Sequence, residues 1–188
     1  MVFANGGFVR VSAFIFLGRV SSRRAVRARL GVRRAAGGED LEKLSTRAAG
    51  LLSAALRHIR DAEHLADGSH SHASLDQAFH LAGFGPECAR KATMSDGSFD
   101  KAIGHGAGMR EALDAALALD VIAHRYGVST TTAAFPALGK WTVDCRYAPT
   151  GSFPLLDVGA VLAEARAIVD AISLALWADG RIPRSFAW

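Results

Sequence analysis

The stretch LEKLSTRAAGLLSAALRHIRDAEHLA, residues 41–66, decides the fold class. Its apolar residues Leu41, Leu44, Ala48, Leu51, Leu52, Ala55, Leu56, Ile59 and Ala62 return at steps of three and four. That spacing lines one side of an α-helix and is wrong for a strand, whose faces alternate at every second residue. The reading predicts an amphipathic helix over about Leu41 to Ala66 that must cover its apolar side with other elements. The run DGSHSHA, residues 67–73, ends it with turn formers and no apolar period.

The rest of the body repeats the pattern. Ser74-Leu-Asp-Gln77 reads as a capping box opening a second helix, which continues through AFHLAGFGPECARKA, residues 78–92. Pro86 removes one intrahelical donor and crowds the carbonyl of Ala82, and Gly83 and Gly85 remove bulk, so a kink and a close helix crossing are expected there. A short helical piece follows Ser95-Asp-Gly-Ser98 and is interrupted at Gly104-His-Gly-Ala-Gly108. A third helix is then expected from about Met109 to Tyr126, with Met109, Leu113, Ala116, Leu117 and His124 on one face. Residues 127–139 read as a threonine-rich loop, Trp141 to Tyr147 as a short element, and Asp157 as the cap of a last helix. The apolar stripe of that helix is Val158, Val161, Leu162, Ala165, Ile168, Val169, Ile172 and Leu176, and Gly180 and Pro183 close it. With no period-two run in the body and no internal repeat, the fold class is all-α, a single helical bundle of four principal helices plus short pieces.

Charge divides the chain in two. The formal balance is +4, yet residues 1–38 hold eight arginines and no acidic residue. From Glu39 onward 14 Lys/Arg face all 18 acidic residues, a formal charge of −4. The basic character therefore belongs to the tail, and the body lacks the clustered basic run that non-specific phosphate neutralisation uses. The apolar stretch Val11–Gly18 is too short to span a membrane and is followed by arginines where a cleavage site would stand. Residues 1–38 read as a leader, a disordered basic arm, or upstream sequence from an early start; residues 39–188 read as the domain. Cys88 and Cys145 form no CxxC pattern and suit a reducing, cytoplasmic compartment.

Two segments carry a family resemblance. Gln77–Ala92, with its Ala-Gly-aromatic step before a Glu and a Lys four apart, resembles the second helix of HEPN domains. Trp141-Thr-Val-Asp-Cys-Arg-Tyr147, followed by a loop and an Ala-rich helix, is similar to the Arg-Tyr step before the last helix of many members. The match covers roughly Leu41 to Ala178. It implies a prokaryotic helical bundle, commonly a homodimer, associated with RNA cleavage, toxin–antitoxin pairs or a nucleotidyltransferase partner. Nuclease members use a late Arg and a His separated by four to six residues, without metal or other cofactor. Here Arg146 is late and well placed, but no histidine follows His124, so the family's pair is absent.

Arg57 and His64 have the formal spacing and share a helix face, but lie on the first helix and equally read as a solvated patch beside Arg60 and Glu63. Glu87 and Lys91 read as a helix-surface ion pair, or with His80 as part of a cleft. His70 and His72 lack a third ligand, so no metal site is expected. His105 stands at a helix junction or a pocket wall. Trp141 and Tyr147 are expected to pack their loop onto the bundle, and to stack on a base only if exposed. Arg146, amid Trp, Cys and Tyr, is expected to be partly buried and to need a carboxylate or a ligand phosphate. No phosphate-binding glycine loop, GxGxxG, GxSxG, HExxH or EF-hand pattern occurs. These observations favour a binding module for a partner protein or for a nucleotide or RNA, with a metal-independent ribonuclease using Arg146 or Arg57 with His64, His80 or His105 as the alternative.

Overall fold

Ser45 starts the first helix. Its side chain accepts from the backbone N–H of Ala48 at 3.3 Å, satisfying a donor that has no partner inside the helix. In a computed structural model describing residues 42–99, 109–126, 135–183 and 185–186, α1 spans Thr46–Ala66. Residues 42–45 are not helical, so the element begins five residues later than its apolar period suggested, and Leu44 packs from outside it. Of the expected stripe Ala48, Leu52, Ala55, Leu56, Ile59 and Ala62 are buried and Leu51 is half-buried, while Leu41 lies outside the described residues.

α2 spans Leu75–Lys91 with Ser74 as its cap, accepting from the Gln77 N–H at 3.4 Å. Pro86 lies inside the helix. Gly85 is where α1 comes close: a Cβ there would sit 2.7 Å from Ile59 Cδ1 and 3.4 Å from the Ala55 carbonyl. At Gly83 an added Cβ would instead collide with the Trp141 ring. The expected close helix crossing is present at Gly85, whereas Gly83 makes room for Trp141.

A short helix α3, Asp96–Phe99, leads toward α4, Met109–Leu119. The third long helix was expected to reach Tyr126 but stops at Asp120, and residues Ala123–Tyr126 turn separately as a 3-10 helix. The cause is the Asp120 carboxylate, which accepts from the backbone N–H groups of Ile122 and Ala123, both at 2.8 Å, and so caps a new element rather than continuing the old one. His124 consequently leaves the α4 face and is exposed.

Two further 3-10 turns, Leu138–Lys140 and Val143–Tyr147, precede α5, Leu155–Ala178. Its cap position is Pro154, and Asp157 lies in the first turn, where a carboxylate favours the helix dipole without capping. The predicted apolar stripe is buried except Leu162, which is half-buried. Gly180, at φ +75°, closes the helix: its N–H donates to the Trp177 carbonyl and that of Arg181 to the Leu176 carbonyl, both at 2.9 Å.

The architecture is all-α, with four principal helices and no strand among the described residues. α1, α2 and α5 pack together around Leu52, Ile59, Phe79, Val158, Ile168, Ile172 and Leu176. α4 is set apart: Leu113 and Leu117 join Met94 and Ala123 in a second, smaller cluster, and Asp114 pairs with Arg90 of α2. A bidentate pair of Arg166 with Glu63 bridges α5 to α1 at 2.6–3.0 Å. Among the described residues no helix is long and apolar enough to cross a membrane. The Arg-rich tail, the Gly104–Gly108 interruption and residues 127–134 lie outside the described residues.

Candidate functional site

Trp141 is the anchor on which the site is built. Its indole Nε1 donates to the carbonyl of His80 at 2.9 Å, its ring lies in the space that Gly83 vacates, and only 9 % of it is exposed. This fastens the Val143–Tyr147 turn to the middle of α2. Trp141 is thus a packing residue, and its burial removes it as a platform for a base.

Around that anchor the rings form a chain. Phe84 meets Trp141 edge-on at 5.3 Å and the His80 imidazole edge-on at 4.8 Å, while the His58 imidazole of α1 lies 5.7 Å from Phe84. His80 is 8 % exposed, and the Nδ1 atoms of both His80 and His58 are buried without a hydrogen-bond partner among the described residues. Burial lowers the pKa of His80 below the usual imidazole value, and the nearby charges of Arg146 and His58 lower it further. Burial likewise lowers that of His58, helped by Arg57 and opposed by Asp61. In both, burial favours the neutral imidazole.

Arg146 and Tyr147 stand in front of this chain, in solvent. Arg146 was expected to be partly buried and paired; it is exposed, with its guanidinium 4.5 Å from the centroid of the Tyr147 ring. Tyr147 is 72 % exposed and does not pack into the bundle. The two consecutive residues project outward because the 3-10 turn is held from behind by Trp141. The Pro149–Phe153 loop beyond it is tied by Asp76, whose carboxylate accepts from the N–H groups of Gly151 at 2.7 Å and Phe153 at 3.1 Å. Phe153 stacks on Phe79 at 3.9 Å.

The other candidates fall elsewhere. Glu87 and Lys91 pair at 2.6 Å, but both side chains are largely covered, at 15 % and 6 % exposure, so this is an interior bridge rather than a solvated surface pair. Arg57 is exposed on α1, beside His58 electrostatically, whereas His64 stacks on His70 at 4.1 Å and Glu63 is taken by Arg166; the formal Arg57/His64 pair has separate neighbours. His70 is held by its Nε2–H donating to the His64 carbonyl at 2.6 Å. Among the described residues no group of three His, Cys, Asp or Glu is placed to hold a metal. His105 lies outside the described residues.

Three residues escaped the sequence reading. His58 sits at the edge of the α1 stripe, three from Ala55 and next to Ile59, a position that already placed it at the packed face. Asp76 reads as an ordinary first-turn acid, and its loop partner is 75 residues away in sequence. Asp120 could have been found from a short acidic side chain following an Ala- and Leu-rich helix, the pattern of a residue that caps what comes next. Both cysteines are free, and burial, aided by Glu87, pushes the Cys88 thiol up to about 11.

Comparison of the chain with protein-family models, with curated proteins and with solved structures returns no match.

Proposed function

We propose that this chain is a HEPN-like helical binding module that acts as a homodimer in the cytoplasm and engages a nucleotide or RNA, without cleaving it, through Arg146 and Tyr147. The observation that carries the reading is the exposed guanidinium over an exposed phenol ring, held outward by a buried Trp anchor. An arginine in that setting offers several N–H donors to phosphate oxygens, and an exposed aromatic ring offers a face on which a base stacks.

The second reading, a metal-independent ribonuclease, is favoured by one arrangement: the His80 imidazole lies against Trp141, centroids 6.4 Å apart, just before the turn that carries Arg146. Cleavage through the ribose 2′-OH needs a base and an acid with free approach to the substrate. Burial favours the neutral form of His80, and its ring is packed against Phe84 and Trp141. The binding reading therefore accounts for more of the geometry.

The test is incubation of the full chain with RNA in EDTA beside an Arg146→Ala variant. RNA is expected to be retained and to stay intact. Cleavage that disappears in the variant would transfer the assignment to the ribonuclease. Sedimentation equilibrium is expected to give twice the chain mass of 19.8 kDa, and a monomer would remove the homodimer from the proposal.

A further inference from the structure

α5 is apolar on two sides, and only one of them is covered. Val161, Ile168 and Ile172 face the bundle and are buried. The exposed positions of the same helix are Leu155, Leu156, Gly159, Ala160, Ala163 and Ala167, with no charge among them. Leu156 is 85 % and Leu155 62 % exposed, and a Cβ added at Gly159 would meet nothing within 4 Å. The charged side chains of α5 are drawn aside: Glu164 accepts from the N–H groups of Ala137 and Leu138, and Arg166 pairs with Glu63 and, at 4.0 Å, with Asp170. A helix that is apolar all round belongs inside an assembly, not at its surface.

We propose that the outer face of α5 is where two copies of this chain meet, their α5 helices packed antiparallel about a two-fold axis at the height of residue 165. The inference rests on the homodimer in the reading given above and deepens it by naming the surface. The order of side chains along the face selects a second copy over a different partner. Leu156, Ala160, Ala163, Ala167, Ala171 and Leu174 fall within a sector of about 80° at 3.6 residues per turn. The series reads the same from either end: Leu, Ala, Ala, Ala, Ala, Leu. A two-fold contact sets one surface against itself and so needs this self-complementarity, which a contact with an unrelated partner does not.

Antiparallel pairing sets Leu156 against the partner's Leu174 and Ala163 against the partner's Ala167. The alanines let the helix axes approach to about 8 Å, and the leucines close the two ends of the seam. Because the face is uncharged, neither copy has to desolvate an ion to make the contact. From Leu156 to Leu174 the stripe is roughly 27 Å long, and one helix face is about 10 Å wide. That footprint is well below the roughly 800 Å² per partner of a standard stable interface. The dimer is therefore expected to form and dissociate reversibly in the micromolar range.

The experiment follows an introduced thiol. Full-length Ala163→Cys is alkylated with iodoacetamide at protein concentrations from about 1 to about 300 µM, and peptide mass spectrometry reads the new thiol apart from Cys88 and Cys145. It is expected to react about tenfold more slowly at the top of the range than at the bottom, as mass action fills the dimer. The thiol of Gly50→Cys, on the exposed side of α1, is expected to react at one rate throughout. Sedimentation equilibrium of Ala163→Glu is expected to give the single chain mass with an unchanged circular dichroism spectrum, because position 163 is exposed in the single chain. Protection equal at every concentration would give the face to another segment of the same chain and overturn the proposal. A thiol that stays fully reactive in a protein sedimenting as a dimer, or an Ala163→Glu protein that remains dimeric, would overturn this face and leave the homodimer standing on another. A wild-type monomer across the whole range would overturn both.

Discussion

Gly83 and Gly50 are both helical glycines, and the structure predicts opposite outcomes for adding one methyl group. A Cβ at Gly83 would collide with three atoms of the Trp141 ring at 2.1–2.3 Å, so Gly83→Ala is expected to cost about 3 kcal/mol and to expose Trp141. Chemical denaturation followed by tryptophan fluorescence reads both effects. Gly50 is exposed in α1 with nothing within 4 Å, and Gly50→Ala is expected to stabilise by about 0.5–1 kcal/mol through lost backbone freedom of the unfolded chain. A Gly83→Ala protein as stable as wild type would remove Trp141 as the anchor of the site. Asp120 is the other position where one side chain carries a junction. It is 2 % exposed and accepts from the N–H and hydroxyl of Ser95 at 2.9 and 2.7 Å besides Ile122 and Ala123. Burial opposes its ionisation, yet the donors from Ser95 and Ala123 outweigh burial and hold its carboxyl well below the usual range. Asp120→Ala is expected to cost about 2–3 kcal/mol in urea denaturation, because backbone donors are left unpaired.

At the scale of elements, the deciding contacts join helices to the irregular segments between them. Asp76 of α2 holds Gly151 and Phe153, and Glu164 of α5 accepts from the N–H groups of Ala137 and Leu138 at 3.2 and 2.7 Å. These two carboxylates pin the chain before and after the Arg146 turn. Asp76→Ala is expected to speed amide hydrogen exchange at Gly151 and Phe153 selectively, with a global loss of about 1–2 kcal/mol. Unchanged exchange there would show that Phe153 stacking on Phe79 suffices to hold the loop. The helices themselves were legible, α1 and α5 because they largely bury the positions that their apolar spacing marks, and α2 because Ser74 caps it as its capping box indicated. Their starts were less legible. α5 begins after a proline and α1 begins five residues late, because an apolar period continues through residues that pack on a helix without belonging to it.

For the whole molecule, the two lowered histidines give stability a direction with pH. Each has a folded-state pKa below its unfolded value of about 6.5, so the stability tied to its neutral form is fully present above that value and is lost as pH falls below it. The urea midpoint is expected to decline between about pH 7 and pH 5, and His80→Gln is expected to flatten that decline. Asp120 adds a second loss at lower pH, as protonation removes a carboxylate that four donors need. A midpoint that rises on acidification would contradict the buried, neutral state of both imidazoles. The N- and C-terminal ends of the described body are closed on each other by Leu44 N–H to the Arg181 carbonyl at 3.1 Å and by Arg181 Nε–H to the Glu42 carbonyl at 3.0 Å. Tyr126 bonds to Asp179 at 3.0 Å beneath them. The satellite position of α4 was not legible, because its amphipathic face tells only that it is covered and not by which cluster.

Apolar spacing, caps and turn residues act between neighbours in the chain, so the sequence by itself determined that this body is helical, where its main helices lie and which faces they bury. The exposure of Arg146 was decided by tertiary structure alone. Its neighbours Trp141 and Tyr147 look alike in composition, yet one fills the notch over Gly83 and the other is left in water. The same holds for the approach of His58 and His80, which depends on how closely α1 and α2 cross at Gly85. Such pairings are set by shape across elements distant in sequence, and no local pattern encodes them.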